Sequence, residues 1–420
     1  MKLKLSNIGK IQSADIEING ITVIAGDNNT GKSTVGKALF ALFNSFYDIE
    51  NKMTSERKAS IRYQLETGGG RDHPINFSPD FDIGDLAEEI LRSRNDTSTT
   101  AIYDIINNYE FKFLNDLPSD ECLKISERIS QVLQIPNDKI VEYIIQGKLD
   151  SEFNEQISNL FSNGISSIEL QIRGEQVVVQ LLHDKIVSFS GVFHLGTEAV
   201  YMDDPFVLDE VPARIWRNNN RYSDHRTHLK EKLSFTRNKT SILDEIITDD
   251  KLKLIYNKLS SVCDGDIVRE KTSALSYRIA GSDKTLNVKN LSTGLKTFAI
   301  LKKLLTNGSI ESNGTLILDE PEIHLHPEWQ LVFAELIVLL HHEFGLHILL
   351  NTHSPYFLNA IEVYSVKYGV DDRCKYYLAK NSGNVACIED VTNSIESIYS
   401  TLVQPLQELE DERYRYGESQ

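Results

Sequence analysis

Residues Gly26-Asp27-Asn28-Asn29-Thr30-Gly31-Lys32-Ser33 follow the pattern GxxxxGK[ST]. They come directly after an apolar run, Ile21-Thr22-Val23-Ile24-Ala25, and a helical pattern then extends over 31–46. A strand that turns into a helix in this way aims consecutive backbone N–H groups at an anion, and the helix dipole favours negative charge there. The glycines allow the backbone to wrap closely around phosphate groups. This chemistry assigns Gly26, Asn28, Asn29, Thr30, Gly31, Lys32, Ser33 and Thr34 to binding ATP. Lys32 would neutralise the β- and γ-phosphates, and the Ser33 hydroxyl would ligate Mg²⁺. A bare glycine turn before a helix is the plainer alternative, and the strand and helix context disfavours it.

Other reactive side chains stand at the ends of apolar runs. Leu316-Ile317-Leu318-Asp319-Glu320-Pro321 reads as a buried strand that delivers two carboxylates to a sheet edge. Asp319 can hold the Mg²⁺ shell through water, and Glu320 can orient and deprotonate an attacking water. Leu349-Leu350-Asn351-Thr352-His353-Ser354-Pro355 is a second such strand, ending on His353; a lone histidine there is otherwise structural. Asn290-Leu291-Ser292-Thr293-Gly294-Leu295-Lys296 opens an amphipathic helix and by itself is an ordinary N-cap. Glu322-Ile323-His324-Leu325-His326-Pro327 carries His-x-His beside carboxylates, which invites a metal reading. Asp203 and Asp204 end a short apolar run at 199–202, where Asp203 is either a metal ligand or part of a structural turn.

These groups must be held by a mixed α/β framework. Short strands are predicted over 2–5, 14–18 and 22–25, then over 167–173, 176–182 and 199–202, and again near 276–280 and 285–288. Buried strands follow at 315–318 and 347–351, with helices from about 292 and over about 328–342. The stretch 47–160 is mostly helical and polar, 214–259 is helical with a basic opening, and the tail 388–413 reads as a strand end plus helix. The chain has 420 residues, enough for two or three domains, and shows no internal repeat or low-complexity tract. No apolar stretch approaches the ~18 residues of a membrane span. The first residues alternate apolar and polar without the apolar block of a signal peptide, so a cytoplasmic address is expected and no membrane partner. Cys122, Cys263, Cys374 and Cys387 lie 141, 111 and 13 residues apart and suggest neither a zinc site nor a disulfide framework. The 44 Lys+Arg against 61 Asp+Glu leave a net charge of −17, which argues against a chain coated in positive field but not against a local basic patch.

In order, the phosphate loop, the Ser292 segment, the Asp319-Glu320 strand and His353 resemble the ABC-type ATPase superfamily. Residues 290–296 are similar to its signature motif, usually written LSGGQ, with Thr293 in place of a glycine and Lys296 where glutamine is usual; both changes are similar to the SMC-like branch. The resemblance implies that Ser292, Thr293 and Gly294 contact the γ-phosphate held by another protomer. It also implies that His353 is the switch histidine, and that the His324–His326 segment crosses a dimer interface instead of binding metal. No equivalent of the usual Q-loop glutamine is evident. Lys32 and Ser292 are 260 residues apart, longer than a transporter subunit allows. GDNNTGKST with DEPEIHLHP and NTHSP looks most like the OLD (overcoming-lysogenisation-defect) group. Many of its members carry a Toprim nuclease after the switch; only 67 residues follow His353 here, without a DxD pair, so no nuclease is expected in the chain.

The fold class implied is α/β: an ABC-type P-loop ATPase head with a mixed sheet, plus helical insertions and a coiled-coil-like arm. The expected division is a first ATPase half (1–46), a helical insertion (47–160), strands completing the head (161–210), a helical arm with a basic segment (211–275), the second ATPase half (276–390) and a helical tail (391–420). An OLD-like ATPase without its nuclease resembles the ATPase subunits of Septu-type and PARIS-type bacterial antiphage systems, the former sometimes within a retron. The resemblance implies ATP and Mg²⁺ as cofactors and catalysis by Glu320, His353 and Lys32. It implies as partners a second copy of the chain, in a dimer or larger homo-oligomer, and an HNH or Toprim nuclease effector encoded nearby; DNA, RNA or a phage trigger protein are further candidates. Two rival expectations stand beside it. One is a RecF-like repair ATPase that grips DNA through 214–239, where eight cations face two carboxylates. The other is a nonhydrolysing scaffold that uses ATP as glue.

Overall fold

The computed structural model describes residues 1–67, 81–93, 96–109, 119–162, 164–211, 222–235, 253–270 and 275–417. The chain divides into two compact units, Met1–Tyr47 with Ile145–Gln420, and Asp48–Ile144.

The first unit is built on an 11-stranded sheet with strand order β6-β5-β4-β1-β2-β14-β13-β3-β12-β11-β7. Its strands are β1 (Lys2–Ile8), β2 (Ile11–Glu17), β3 (Ile21–Gly26), β4 (Ser166–Ile172), β5 (Glu175–Leu182), β6 (Lys185–Ser190), β7 (Ala199–Met202), β11 (Thr315–Asp319), β12 (His347–Thr352), β13 (Cys374–Ser382) and β14 (Val385–Asp390). The central block β13-β3-β12-β11-β7 is parallel throughout. Covered on both faces, β3 and β7 are buried at every residue. That explains why they read as unbroken apolar runs and not as alternation. Helix α1 (Lys32–Phe46) follows β3 and packs Val35, Leu39, Phe40 and Phe43 inward.

The parallel register places four chain exits at one edge. Ile317 of β11 pairs with Leu349 of β12 and with Tyr201 of β7. Asp319 pairs with Asn351, and Thr352 with Ala25. The phosphate loop, Asp319, His353 and Asp203 therefore leave from the carboxyl ends of adjacent strands, where open α/β sheets bind ligands.

Three strands differ from the sequence expectation. β6 has no buried residue, so its pattern carries little signal. β13 contains Tyr376, Tyr377, Lys375 and Lys380, a mixed run that hides a strand lodged between β3 and β14. β8 (Asp266–Arg269), inside the span expected as a helical arm, forms a separate three-stranded sheet with β9 (Leu275–Arg278) and β10 (Thr285–Asn287). Ile267 and Tyr277 face each other across it, and both are buried. The other described parts of that span include helix α7 (His225–Ser234), capped by Asp224, which accepts from Thr227 N–H at 2.8 Å. Residues 212–221, 236–252 and 271–274 lie outside the described ones.

The second unit has its own core of Ile61, Leu65, Leu86, Ile90, Ile102, Ile106, Ile125 and Ile129. These come from α2 (Ile49–Thr67), α3 (Ile83–Arg92), α4 (Thr99–Asn108) and α5 (Ser119–Gln134). The α3 helix begins where Asp82 accepts from Gly84 N–H at 2.7 Å. At the end of α5 the Arg57 guanidinium donates to the carbonyls of Val132, Leu133 and Ile135, satisfying acceptors that a helix end leaves open. The α6 helix (Asn137–Phe153) starts in this unit and ends in the first. The insertion expected to reach residue 160 thus gives residues 145–160 to the first unit. Among the described residues no helix is long and apolar enough to cross a membrane.

Candidate functional site

The phosphate loop folds as its glycines require. Gly26 has φ 145° and Gly31 φ 82°, both in the region that favours glycine. A Cβ on Gly26 would stand 2.3 Å from the Ala379 carbonyl oxygen, so β13 leaves room for no side chain there. Asn29 is also left-handed, at φ 59°, and its carbonyl accepts from Lys10 Nζ at 2.6 Å. The Thr30 hydroxyl donates to the Asp27 carbonyl at 2.8 Å. Asp27, Asn28 and Asn29 are exposed, whereas Ser33 and Thr34 are half-buried in the first turn of α1.

Lys32 is 4% exposed and donates from Nζ to the carbonyls of Gly26 (3.0 Å) and Asp27 (2.7 Å). Burial pulls its ammonium down to about 8, although Glu320 and Asp319 pull the other way. Its Nζ is also 3.4 Å from His353 Nδ1, and His353 Nε2 pairs with the Glu320 carboxylate. Glu320 has φ 52°, an uncommon conformation for a non-glycine residue, and its N–H donates to the Asn351 carbonyl at 3.0 Å. The hydrogen bond from His353 holds the Glu320 carboxyl below its ordinary range and favours its ionised form. The structure therefore brings Lys32, Glu320 and His353 together.

Asp319 is fixed from both sides: the Tyr201 hydroxyl donates to Oδ2 at 2.9 Å and Asn351 Nδ2 to Oδ1 at 2.8 Å. Each carboxylate oxygen keeps a lone pair for a further partner. Asp203 Oδ2 accepts from Arg226 Nε at 2.7 Å and lies 3.1 Å from His225 Nε2, while its Oδ1 is buried without a hydrogen-bond partner. Burial would raise the Asp203 carboxyl, but those two partners hold it at about 2. Hydroxyl and carboxylate oxygens are the donor set Mg²⁺ takes, and it binds through one or two carboxylates plus substrate phosphates instead of a full protein cage. The residues present fit that ion. Among the described residues no group of three His, Cys, Asp or Glu side chains could hold a metal by itself, and that includes the His324–His326 stretch.

Ser292 caps helix α8 (Thr293–Thr306), accepting from Leu295 N–H at 3.4 Å. Ser292, Thr293 and Gly294 do not line the Lys32 cluster. They line a recess with His324, His326 and Trp329. A Cβ on Gly294 would be 3.0 Å from the His324 carbonyl oxygen, so a larger residue there would crowd the two segments. Lys296 is buried and pairs with Asp209 at 2.6 Å.

Sequence reading missed four supporting groups. Tyr201 and Asn351 appeared only as strand residues. Glu322 is 3% exposed; its Oε1 accepts from the Thr352 hydroxyl and from His353 N–H (3.2 Å), tying the His353 segment to the segment after Glu320. Gln330 joins the same two segments through the Leu325 carbonyl (3.2 Å) and the Ser354 hydroxyl (3.4 Å). His-x-His drew the eye in this stretch, but the carboxylate two residues before it makes the contact.

Residues 1–358 match the family described as AAA ATPase domain. Similar solved structures include the SMC head domain from Thermotoga maritima, at 12% identity and TM-score 0.39 over 93% of this chain and 98% of that one. An SmcHead bound to the C-winged helix domain of ScpA has 11% identity and TM-score 0.41 over 93% and 97%. A third is an Smc head domain with an extended coiled coil, bound to the C-terminal domain of ScpA derived from Pyrococcus furiosus, with 11% identity and TM-score 0.40 over 98% of each chain. The family match spans the phosphate loop, Asp319, Glu320 and His353, the residues gathered at the parallel strand ends. The chain belongs to the AAA ATPase domain family, as an ATP-binding P-loop ATPase of mixed α/β fold.

Proposed function

We propose that this ATPase hydrolyses ATP at an interface between two copies of itself, and that the closed assembly holds or gates a separate HNH or Toprim nuclease effector in bacterial antiphage defence. In this reading the loop residues 26–34 hold the triphosphate, with Lys32 against its β- and γ-phosphates. Glu320 takes the proton of the attacking water, and His353, placed between Lys32 and Glu320, contacts the γ-phosphate and registers its loss. Ser33 and Asp319, the latter through water, would hold Mg²⁺, and the free Asp203 Oδ1 is a third candidate oxygen. The ion, when bound, supplies charge neutralisation on the phosphates.

The observation that carries the two-copy reading is the position of residues 292–294. They open a helix N-terminus, the natural seat for a phosphate, into a recess whose lining contains none of the Lys32 cluster. A phosphate supplied by a second copy would meet that seat. The effector role is supported by the OLD-like wording of the motifs. With ATP and Mg²⁺, the Glu320→Gln chain is expected to sediment as a dimer or larger assembly. The double change with Ser292→Arg is expected to stay monomeric, because the arginine fills the seat. Equal association of both would sink the interface assignment, and co-purification with the nuclease encoded next door tests the effector role.

The DNA-repair reading rests on residues 214–239, of which 222–235 are described. There Arg226, Lys230 and Lys232 each hold an ion pair, with Asp203, Glu210 and Glu198. Cations paired within the chain contribute less to a phosphate-binding surface.

A further inference from the structure

Tyr201 is fully buried in β7, and its hydroxyl donates to Asp319 Oδ2 at 2.9 Å. A phenylalanine would fill the same space, so the hydroxyl is what distinguishes this residue. It is closely confined. A Cβ added to Gly36 on α1 would stand 3.0 Å from the hydroxyl oxygen, so the helix that follows the phosphate loop leaves just enough room for it. The ring stacks on the His225 imidazole, with centroids 4.3 Å apart and planes at 26°, and meets Phe40 edge-on at 6.1 Å. His225 cannot turn either. Its Nδ1 is 2.5 Å from Glu152 Oε1, its Nε2 3.1 Å from Asp203 Oδ2, and its backbone N–H donates to Glu152 Oε2 at 2.9 Å.

We propose that Tyr201 is a positioning residue for Asp319, fixing one carboxylate oxygen through its hydroxyl, and that His225, clamped between Glu152 and Asp203, fixes Tyr201 in turn. Asn351 holds the other oxygen from the opposite neighbouring strand, so β7 and β12 together set the direction of the Asp319 lone pairs. Glu152 lies on α6, which starts in the second unit, and His225 on α7, so two helices outside the sheet converge on the aspartate through a single ring. The proposal rests on the assignment of Asp319 to the Mg²⁺ shell of bound ATP.

The test is a Mg²⁺ titration of binding of a fluorescent ATP analogue to the full chain, with a parallel measurement in EDTA. Tyr201→Phe is expected to raise the half-saturating Mg²⁺ concentration about tenfold, the lower end of the loss of a hydrogen bond to a charged group. Binding in EDTA is expected to be unchanged, and at saturating Mg²⁺ kcat falls while KM for ATP holds. A purely structural role would weaken binding equally with and without Mg²⁺. Gly36→Ala, whose methyl would stand 3.0 Å from both the hydroxyl and Ile317 Cγ2 while favouring the helix, is expected to shift the Mg²⁺ requirement the same way and to a smaller extent, and serves if the tyrosine variant does not fold. Asp319→Asn separates the two levels. If it retains wild-type Mg²⁺ dependence, the Asp319 assignment fails. If it abolishes that dependence while Tyr201→Phe overlays wild type, the positioning role of Tyr201 is overturned.

Discussion

Changing Glu320 to Gln is expected to lower ATP turnover by about 10²–10⁴-fold, the usual contribution of a general base, with ATP still bound. The carboxamide keeps the shape of the side chain but cannot take a proton from water. The local geometry makes this a clean test. Glu320 is fixed by its backbone, at φ 52° and through the Asn351 carbonyl, so the substitution does not release the segment. His353 pairs with Glu320 and lies 3.4 Å from Lys32, so charge at the three groups is coupled, and the variant changes one member only. Single-turnover and steady-state phosphate release would both show the loss, while filter binding of radiolabelled ATP would show retention. Turnover within a factor of two of wild type would assign the base elsewhere.

Lys32→Ala is expected to weaken ATP binding roughly 10- to 100-fold, which corresponds to the loss of a hydrogen bond to a charged group. Two effects add. The β- and γ-phosphates lose their cation, and the carbonyls of Gly26 and Asp27 lose the donor that holds the loop in its curve. Because the side chain is almost fully buried, no neighbouring surface lysine can substitute. Isothermal titration with a nonhydrolysable analogue measures this directly. An affinity equal to wild type would mean that the loop does not hold the phosphates.

The proposed centre was legible because it sits on parallel strands buried on both faces. Such strands appear as short apolar runs that stop abruptly at a glycine or a polar residue, and Ala25–Gly26, Leu318–Asp319 and Leu350–Asn351 are three such stops. What supports the centre was hidden. Tyr201 lies in a four-residue strand that reads as plain core, and its partner Asp319 is 118 residues away. The Glu152–His225 pair spans 73 residues between two helices with polar sequences, and only the fold brings them together. β13 was missed because Lys375 and Lys380 flank the adjacent Tyr376 and Tyr377 in a mixed run without a clean period. Glu322 is buried while Ile323 beside it is 58% exposed, an inversion of hydropathy that no pattern reading anticipates.

A site shared between two copies can be tested by mixing two inactive chains. Lys32→Ala and Ser292→Arg chains are each expected to hydrolyse ATP at background rate. Mixed one to one, they can form a heterodimer in which the intact phosphate loop of one chain meets the intact Ser292 segment of the other. The mixture is expected to recover part of the wild-type rate, saturating with the fraction of heterodimer formed. A mixture no more active than the sum of its separate components would contradict it.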